Sequence, residues 1–486
     1  MRVTRIYEPQ LQFGTSSSVD VRNGVINYCV ADFDKLDPLG SIRVGVIGSQ
    51  KSIERFCAWL ERCKEQIEAK ESRQPNLFPL FPGFNSITGF RCELRTDSSL
   101  HRVIRQMDID SIARSNVDEE RKLRAVDMFI EQARDLFEKR RPDVLVCALP
   151  DELLDALDPN HSETRDPDEV AEQATEGYTI DFHDLLKSRC LMLPCACPLQ
   201  LVLPGTYDPE SNRKRRARPD DRAKPLQDEA TRAWNFWTAI YYKAGGTPWR
   251  LMRDPTALQT CHIGIGFYRT LDRERINASV AQVFNERGEG VIVRGGKATY
   301  DKSDREIHLD RNSAHDIVFD AIEKYRFEHK TVPARVVIHK SSSFNPAEIE
   351  GCNSAINDWR IEYCEMLSMT KSFVRLFRKE EYPPLRGTLL ILDDSVCHLY
   401  TRGSVEFYET YPGMYMPRTL RIEAARTERT LESHAAEILA LTKMNWNDTQ
   451  LDGALPITIR AARQVGRILK YIGTTESLPH KYSFYM

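Results

Sequence analysis

No run of about 18 apolar residues occurs in the 486-residue chain, which excludes a membrane-spanning helix and a membrane partner. The opening, MRVTRIYEPQLQFG, lacks an apolar signal-peptide region, so a cytoplasmic location is expected. Phosphate-cradling glycine patterns are missing too. There is no GxxxxGK[ST], and GVIGS (45–49) is not GxGxxG, which argues against an organic nucleotide cofactor. The 12 cysteines never form the paired CxxC…CxxC of a structural zinc site. Cys190, Cys195 and Cys197 lie close together without that spacing and read, like the rest, as buried free thiols. Internal repeats and low-complexity segments are absent. Net charge is only −3, so the whole-chain sum does not advertise a polyanionic partner.

What is present fits a globular chain with core enough for two or three domains: 41% of residues are hydrophobic and 29% charged. The small net charge hides a local basic run, SNRKRRARPDDRAK (211–224), balanced by the acidic stretch 151–176. Arg213, Arg215 and Arg216 in that run are candidate phosphate-backbone contacts. A solvated loop between helices is the alternative.

Residues 1–40 read as strand-like and irregular, with Gly14 and Gly24 as turn markers. SIRVGVIGSQ (41–50) reads as a strand, KSIERFCAWLERCKEQIEAK (51–70) as a helix, 74–90 as a packed loop and 117–139 as a long helix. PDVLVCALP (142–150) then reads as a further strand, and the acidic 151–176 stretch as an exposed insertion. Near residue 255 the pattern changes. CHIGIGFYR (261–269), ASVAQVFNERG (278–288) and GVIVRGG (290–296) read as an antiparallel meander, followed by a helix at 312–329 and the strand ARVVIHKSS (334–342). The order of strands, helix, strand opens an RNase H-like fold. GTLLILDDSVCHLYTRG (387–403), PRTLRIEAA (417–425) and two closing helices at 431–444 and 455–472 complete the chain.

The stretch Phe182–Leu251 carries the clearest chemistry. In FHDLLK (182–187), His183 and Lys187 stand four residues apart, on one face of a helix. Gln200 follows in PLQLVLP (198–204), and Lys243 ends a helical pattern before Gly245-Gly246. Two lysines, a histidine and an amide suit a compact oxyanion such as a terminal phosphate. Each piece also has an ordinary reading, as a solvated helix face or a cation on a helix dipole.

The order FHDLLKxR, PxQ, YYKAGGTPWRL resembles the MID domain of an Argonaute, and LTKMNWNDTQLDGALPITIRAARQVGRILKYIG (441–473) resembles the end of Argonaute PIWI domains. LQFG…VRNGVINY resembles the start of the short prokaryotic Argonautes, which have MID and PIWI only. The resemblance implies an α/β protein: an N-terminal strand and irregular segment (1–40), a Rossmann-like MID domain (41–254) and an RNase H-like PIWI domain (255–486). His183, Lys187, Gln200 and Lys243 would surround the 5′ phosphate of a guide. A Mg²⁺ ion would join that phosphate to the C-terminal carboxylate of Met486, and Arg467 would touch the guide or target backbone.

PIWI slicing needs clustered carboxylates holding two divalent metals. Where slicers carry IGIDxS this chain has IGIGFY, with Gly266 at the aspartate position. Where they carry Arg-Asp-Gly it has Lys340-Ser341-Ser342, and Arg463 stands at the last ligand position. None supplies an anionic oxygen for a hard cation, so slicing is not expected. KSFVRLFRKEEY (371–382) and PGMYMPRTLRI (412–422) carry aromatic and basic residues that could line a guide–target channel or belong to the core.

The expectation is therefore a guide-dependent recognition subunit of a prokaryotic immune system. It would bind a guide RNA, pair it with single-stranded target DNA and activate an associated APAZ-domain effector, with higher oligomers on activation. A sirtuin-type NAD-consuming effector is preferred from NWNDTQLDG (445–453), with TIR or nuclease effectors as alternatives. A rival reading is a metal-dependent target nuclease with a rebuilt site, using Asp393 and Asp394, or Asp301, Asp304 and Glu306. A hairpin turn is the ordinary reading of the Asp393-Asp394 pair.

Overall fold

The structure is a computed structural model that describes residues 1–35, 38–157, 180–210, 226–252, 256–271, 275–284, 290–377, 383–413, 416–451, 453–473, 476 and 478–486. Arg213, Arg215 and Arg216, and most of the acidic 151–176 stretch, lie outside the described residues. Strand β1 (Arg2–Arg5) does not join its sequence neighbours. It pairs antiparallel with a strand of the second half, Val3 opposite Leu390. Strands β2 (Leu11–Gln12) and β3 (Ser17–Ser18) form a small separate sheet with a strand at Arg250–Leu251.

The opening is not purely strand-like: Val21–Tyr28 is a helix. Asp20 caps it by accepting from the Asn23 N–H at 2.8 Å. Gly24, read from sequence as a turn marker, sits inside this helix because the Phe13 ring lies where a Cβ would stand, 2.1 Å away.

The first layer is a parallel sheet of β4 (Ser41–Gly48), β5 (Glu93–Arg95), β6 (His101–Val103), β7 (Val144–Ala148) and β8 (Leu199–Val202). Its order is β5-β4-β7-β8, with β6 also on β4. VLVCA in β7 is buried at all five residues, as expected of a strand covered on both faces. Helices cover it: α1 (Gln50–Arg62), α2 (Asp118–Lys139), α3 (Phe182–Leu191) and α4 (Glu229–Lys243). Ser49 caps α1 through the Ser52 N–H, and three acidic residues open α2 against its dipole.

The second layer starts after β9 (Arg250–Leu251) with β10 (Thr260–Arg269), β11 (Ile276–Phe284), β12 (Gly290–Ile292), β13 (Lys297–Tyr300) and β14 (Ile307–Leu309). Helix α5 (Arg311–His329) leads to β15 (Arg335–Lys340), parallel to β10. Helix α6 (Pro346–Asp358) and β16 (Tyr363–Lys371) follow, neither of them singled out by periodicity in the sequence. Hairpin β17 (Thr388–Ile391) and β18 (Val396–Leu399) then leads to β19 (Leu420–Arg426). The full sheet runs β1-β17-β18-β19-β16-β15-β10-β11-β13-β14, with β12 beside β11. Antiparallel β10, β11 and β13 beside parallel β10, β15 and β16 is the RNase H-like pattern.

Helices α7 (Leu431–Leu441) and α8 (Ile457–Leu469) pack on the second sheet. One core joins the halves, with Trp234, Trp237 and Tyr241 of α4 clustering with Trp446, Val465 and Met486. Trp249 and Trp446 cross the seam reciprocally, each indole N–H donating to a main-chain oxygen of the other half (Lys443 at 2.9 Å, Trp249 at 3.1 Å). All 12 cysteines are free thiols, nine of them buried.

Candidate nucleic-acid interface

Helix α3 begins at Asp181, whose carboxylate caps it by accepting from the Asp184 N–H at 2.9 Å. The cap fixes the next turn, so His183 and Lys187 lie one turn apart on one face. Lys187 is only 3% exposed, and its Nζ donates to the main-chain oxygen of Met486. The tail bearing Met486 docks firmly. The Ile292 N–H donates to His480 O at 2.7 Å, Tyr485 Oη donates to Pro479 O at 3.0 Å, and Tyr482 and Met486 are buried.

Lys243 closes α4, where Gly245 turns the chain with φ +99°. Its Nζ donates to Gln200 Oε1, and Gln200 Nε2 donates to Leu201 O at 3.0 Å. The tail takes the Lys187 ammonium and packs its 482–484 turn against α4, the helix that Lys243 closes. Lys187 with Met486 is thus a contact across the two layers, and Lys243 with Gln200 a pair within the first.

The site is not simply a cluster of cations. Burial and the neighbouring Lys187 push His183 down to about 4, so it is a neutral imidazole at physiological pH and offers a directed N–H rather than a charge. Two carboxylates absent from the expected site sit beside it. Asp184 Oδ1 lies 3.3 Å from His183 Nδ1, and its Oδ2 accepts from Arg467 Nε at 3.0 Å. Burial raises Asp184, but Arg467 and His183 outweigh it and hold the carboxyl well below its usual range. Asp181 moves the other way, raised by burial and by the charge on Asp184. Its N–H donates to Tyr471 Oη at 2.9 Å. The Arg467 Nε is therefore directed to a carboxylate, and this side chain of α8 anchors α3 to the second layer. The signal in the sequence was the spacing Asp181-x-x-Asp184, an N-cap pattern inside the motif itself.

In the second layer, Gly266 on β10 and Ser341 just past β15 are brought together: the Ser341 N–H donates to Ile265 O at 3.1 Å. Arg463 lies half-buried on α8. That helix approaches β10 so closely that Thr458 O is 2.2 Å from where a Gly264 Cβ would stand. Next to Ser341, Lys340 Nζ donates to Glu348 Oε2 at 2.9 Å and to Ser343 O at 2.6 Å. His308 bridges Glu348 (3.1 Å) and Asp304 (2.8 Å).

The carboxylates of the rebuilt-nuclease reading are engaged separately. Asp304 binds His308, and Glu306 accepts from the Ser343 N–H at 2.5 Å. Asp301 accepts from Ser303 N–H at 2.8 Å and hydroxyl at 2.7 Å. Asp393 sits at the β17–β18 turn, accepting from the N–H groups of Ser395 and Val396, both at 2.8 Å. Among the described residues, the one group with three metal-ligating atoms within 4.8 Å of one another is Asp181, His183 and Asp184.

No protein-family profile matches the chain, and no curated protein matches it in sequence. Solved structures do. Clostridium butyricum Argonaute bound to a guide DNA and a 19-mer target DNA aligns with TM-score 0.65 at 14% identity, covering 97% of this chain and 53% of that one. Drosophila Piwi aligns with TM-score 0.62 at 12% identity, covering 99% and 56%. Marinitoga piezophila Argonaute in complex with a 5′ OH guide RNA aligns with TM-score 0.56 at 14% identity, covering 100% and 59%. The fold is Argonaute-like. The parallel first layer corresponds to a Rossmann-like MID domain and the second to an RNase H-like PIWI domain. The chain spans little more than half the length of these Argonaute structures. Among its described residues no helix is long and apolar enough to cross a membrane.

Proposed function

We propose that this chain is the guide-binding subunit of a short prokaryotic Argonaute system with a catalytically silent PIWI domain. The observation that carries the reading is buried Lys187, one turn from His183, held by the docked tail at the seam, with buried Lys243 paired to Gln200 at the end of the helix on which that tail packs. The two buried ammoniums match a terminal phosphate as point charges, and the neutral His183 adds one directed hydrogen bond. Displacement of Lys187 from the Met486 oxygen, and of Lys243 from Gln200, would open these donors to the 5′ phosphate of a guide, RNA by preference. Arg467 holds the wall of the site through Asp184 rather than contacting phosphate first.

A Mg²⁺ ion fits this site in one way. The C-terminal carboxylate of Met486 would supply hard oxygen donors beside the expected phosphate, whose own oxygens would join the ligand set. Such an ion would screen phosphate from phosphate. The Asp181–His183–Asp184 group fits less well, because Arg467 already takes one oxygen of Asp184.

The guide's exposed bases would pair with single-stranded target DNA, so that base pairing supplies specificity and the protein reads backbone and duplex shape. With Gly266, Ser341 and Arg463 at the ligand positions, chemistry on the target falls to a partner. That partner is an APAZ-domain effector, sirtuin-type by preference, or a TIR or nuclease effector, switched on by duplex formation in defence against plasmids and phage, with oligomerisation. The first test is to purify the chain with the product of its neighbouring gene and sequence the bound nucleic acid. Short 5′-phosphorylated RNAs, lost in His183→Ala/Lys187→Ala, are expected. Random fragments indifferent to those substitutions would overturn the guide-site reading.

A further inference from the structure

Away from the 5′-end site, the chain just past β16 presents aromatic side chains to solvent in a fixed pose. Its main chain is anchored at alternate positions. The Ser372 N–H donates to Thr419 O at 3.0 Å, extending the β16–β19 ladder by one step. The Val374 N–H donates to the Ser372 hydroxyl at 3.0 Å, and Val374 O accepts from the Thr419 hydroxyl at 3.0 Å. The Leu376 N–H donates to the Tyr400 hydroxyl at 2.7 Å.

In an extended segment successive side chains leave on opposite sides. Phe373, Arg375 and Phe377 stand outward here, and Val374 between them is 37% exposed as well. Phe373 is 85% exposed and Phe377 84% exposed, and Arg375 is exposed between them. The Arg418 guanidinium lies over the Phe373 ring, 5.5 Å from its centroid. Among the described residues of 366–377, 410–413 and 416–422, which build this face, are Lys371, Arg375, Arg418 and Arg421 and no acidic residue. Arg421 pairs with Glu423 at 2.5 Å.

The pattern is aromatic, cation, aromatic, with the rings about 13 Å apart along extended chain. Its apolar surface is two separated rings rather than one continuous patch. It matches a polyanion carrying flat π faces, in which bases stack on the rings and phosphates meet the arginines. We propose that Phe373, Arg375 and Phe377, with Arg418, form a stacking platform for unpaired bases of single-stranded nucleic acid. The proposal rests on the reading of this chain as a guide-binding protein and adds a second contact surface to it, remote in sequence from the 5′-end residues.

The test uses the full chain and fluorescence anisotropy with labelled single strands of about 20 nucleotides, RNA and DNA, 5′-phosphorylated. Phe373→Ala/Phe377→Ala is expected to weaken binding about tenfold or more. Phe373→Trp/Phe377→Trp is expected to restore it, because a larger ring stacks at least as well. Binding by the alanine variant within twofold of wild type, while Lys187→Ala/Lys243→Ala abolishes it, would overturn the platform and leave the 5′-end site standing. Weakening in the phenylalanine variant, with none in the lysine variant, would keep the platform and overturn the 5′-end site. A wild-type chain that binds no single strand would overturn both. Self-association of wild type that the alanine variant loses, with nucleic-acid binding unchanged, would give this face to a second copy and overturn the platform.

Discussion

Lys187 in the parallel first layer and Lys340 in the second are both buried lysines, yet their neighbours differ. Lys187 reaches a main-chain oxygen on a docked tail and stands beside an imidazole that its own charge helps keep neutral. Lys340, at the end of β15 beside Ser341, is locked to Glu348 and to two main-chain oxygens. Burial lowers Lys340 more than Glu348 restores it. Lys340 is held by partners within one layer, whereas Lys187 is held by the last residue of a tail that crosses the seam.

The largest effect that would break this contrast is on ligand binding. Lys187→Ala/Lys243→Ala is expected to cut affinity for a 5′-phosphorylated strand at least about 100-fold, since each hydrogen bond to a charged group contributes about 1.5–3 kcal/mol. Anisotropy titration showing less than a threefold loss would place Lys187 with the structural lysines. On the other side, Lys340→Met strands Glu348 and His308 in the interior. The expected cost is about 3–5 kcal/mol in urea unfolding. Adding Glu348→Gln should recover much of it, and a near-neutral Lys340→Met would remove the structural role.

Acid should probe both regions together. His183 and His262 are each pushed down to about 4, chiefly by burial, so the unfolded chain binds their protons first as pH falls below about 6.5. Stability is therefore full above that pH and declines toward pH 4, by about 2 kcal/mol for each histidine at pH 5. Asp184, held low, adds a loss at still lower pH, while Asp181, held high, opposes it. Thermal melts at pH 5 and pH 7.5 check this, and an unchanged midpoint would contradict buried neutral histidines. The smallest expected effect is at the hairpin tip. Asp393→Ala should lower the melting midpoint only slightly, through its lost turn hydrogen bonds. It should leave any metal-dependent behaviour untouched. Mg²⁺- or Mn²⁺-dependent target cleavage abolished by Asp393→Ala would instead revive the nuclease reading.

Much of this architecture was legible because it is written in local patterns. The long helix at Asp118–Lys139, the strand VLVCA and the meander after residue 255 follow from apolar periodicity and turn residues. The helix at Val21–Tyr28 escaped because it is short and carries a glycine that only Phe13 explains. Strand β16 and helix α6 escaped because a largely buried strand and a weakly amphipathic helix show little period. At the site, FHDLLK, Gln200 and Lys243 stood out by residue type, while Asp184 was read past because its role depends on Arg467, 283 residues away.

By itself the sequence determined the order of the two layers, the residues offered for an oxyanion and the absence of carboxylates at Gly266, Ser341 and Arg463, because these depend on residue identity and short spacing. Tertiary structure alone decided that the tail closes the seam on Lys187, that Arg467 faces Asp184 rather than open solvent, and that β1 completes the edge of the far sheet. Those contacts join residues hundreds of positions apart. What selects them is burial: a charged or main-chain polar group removed from water must find its partner wherever the packed core brings one.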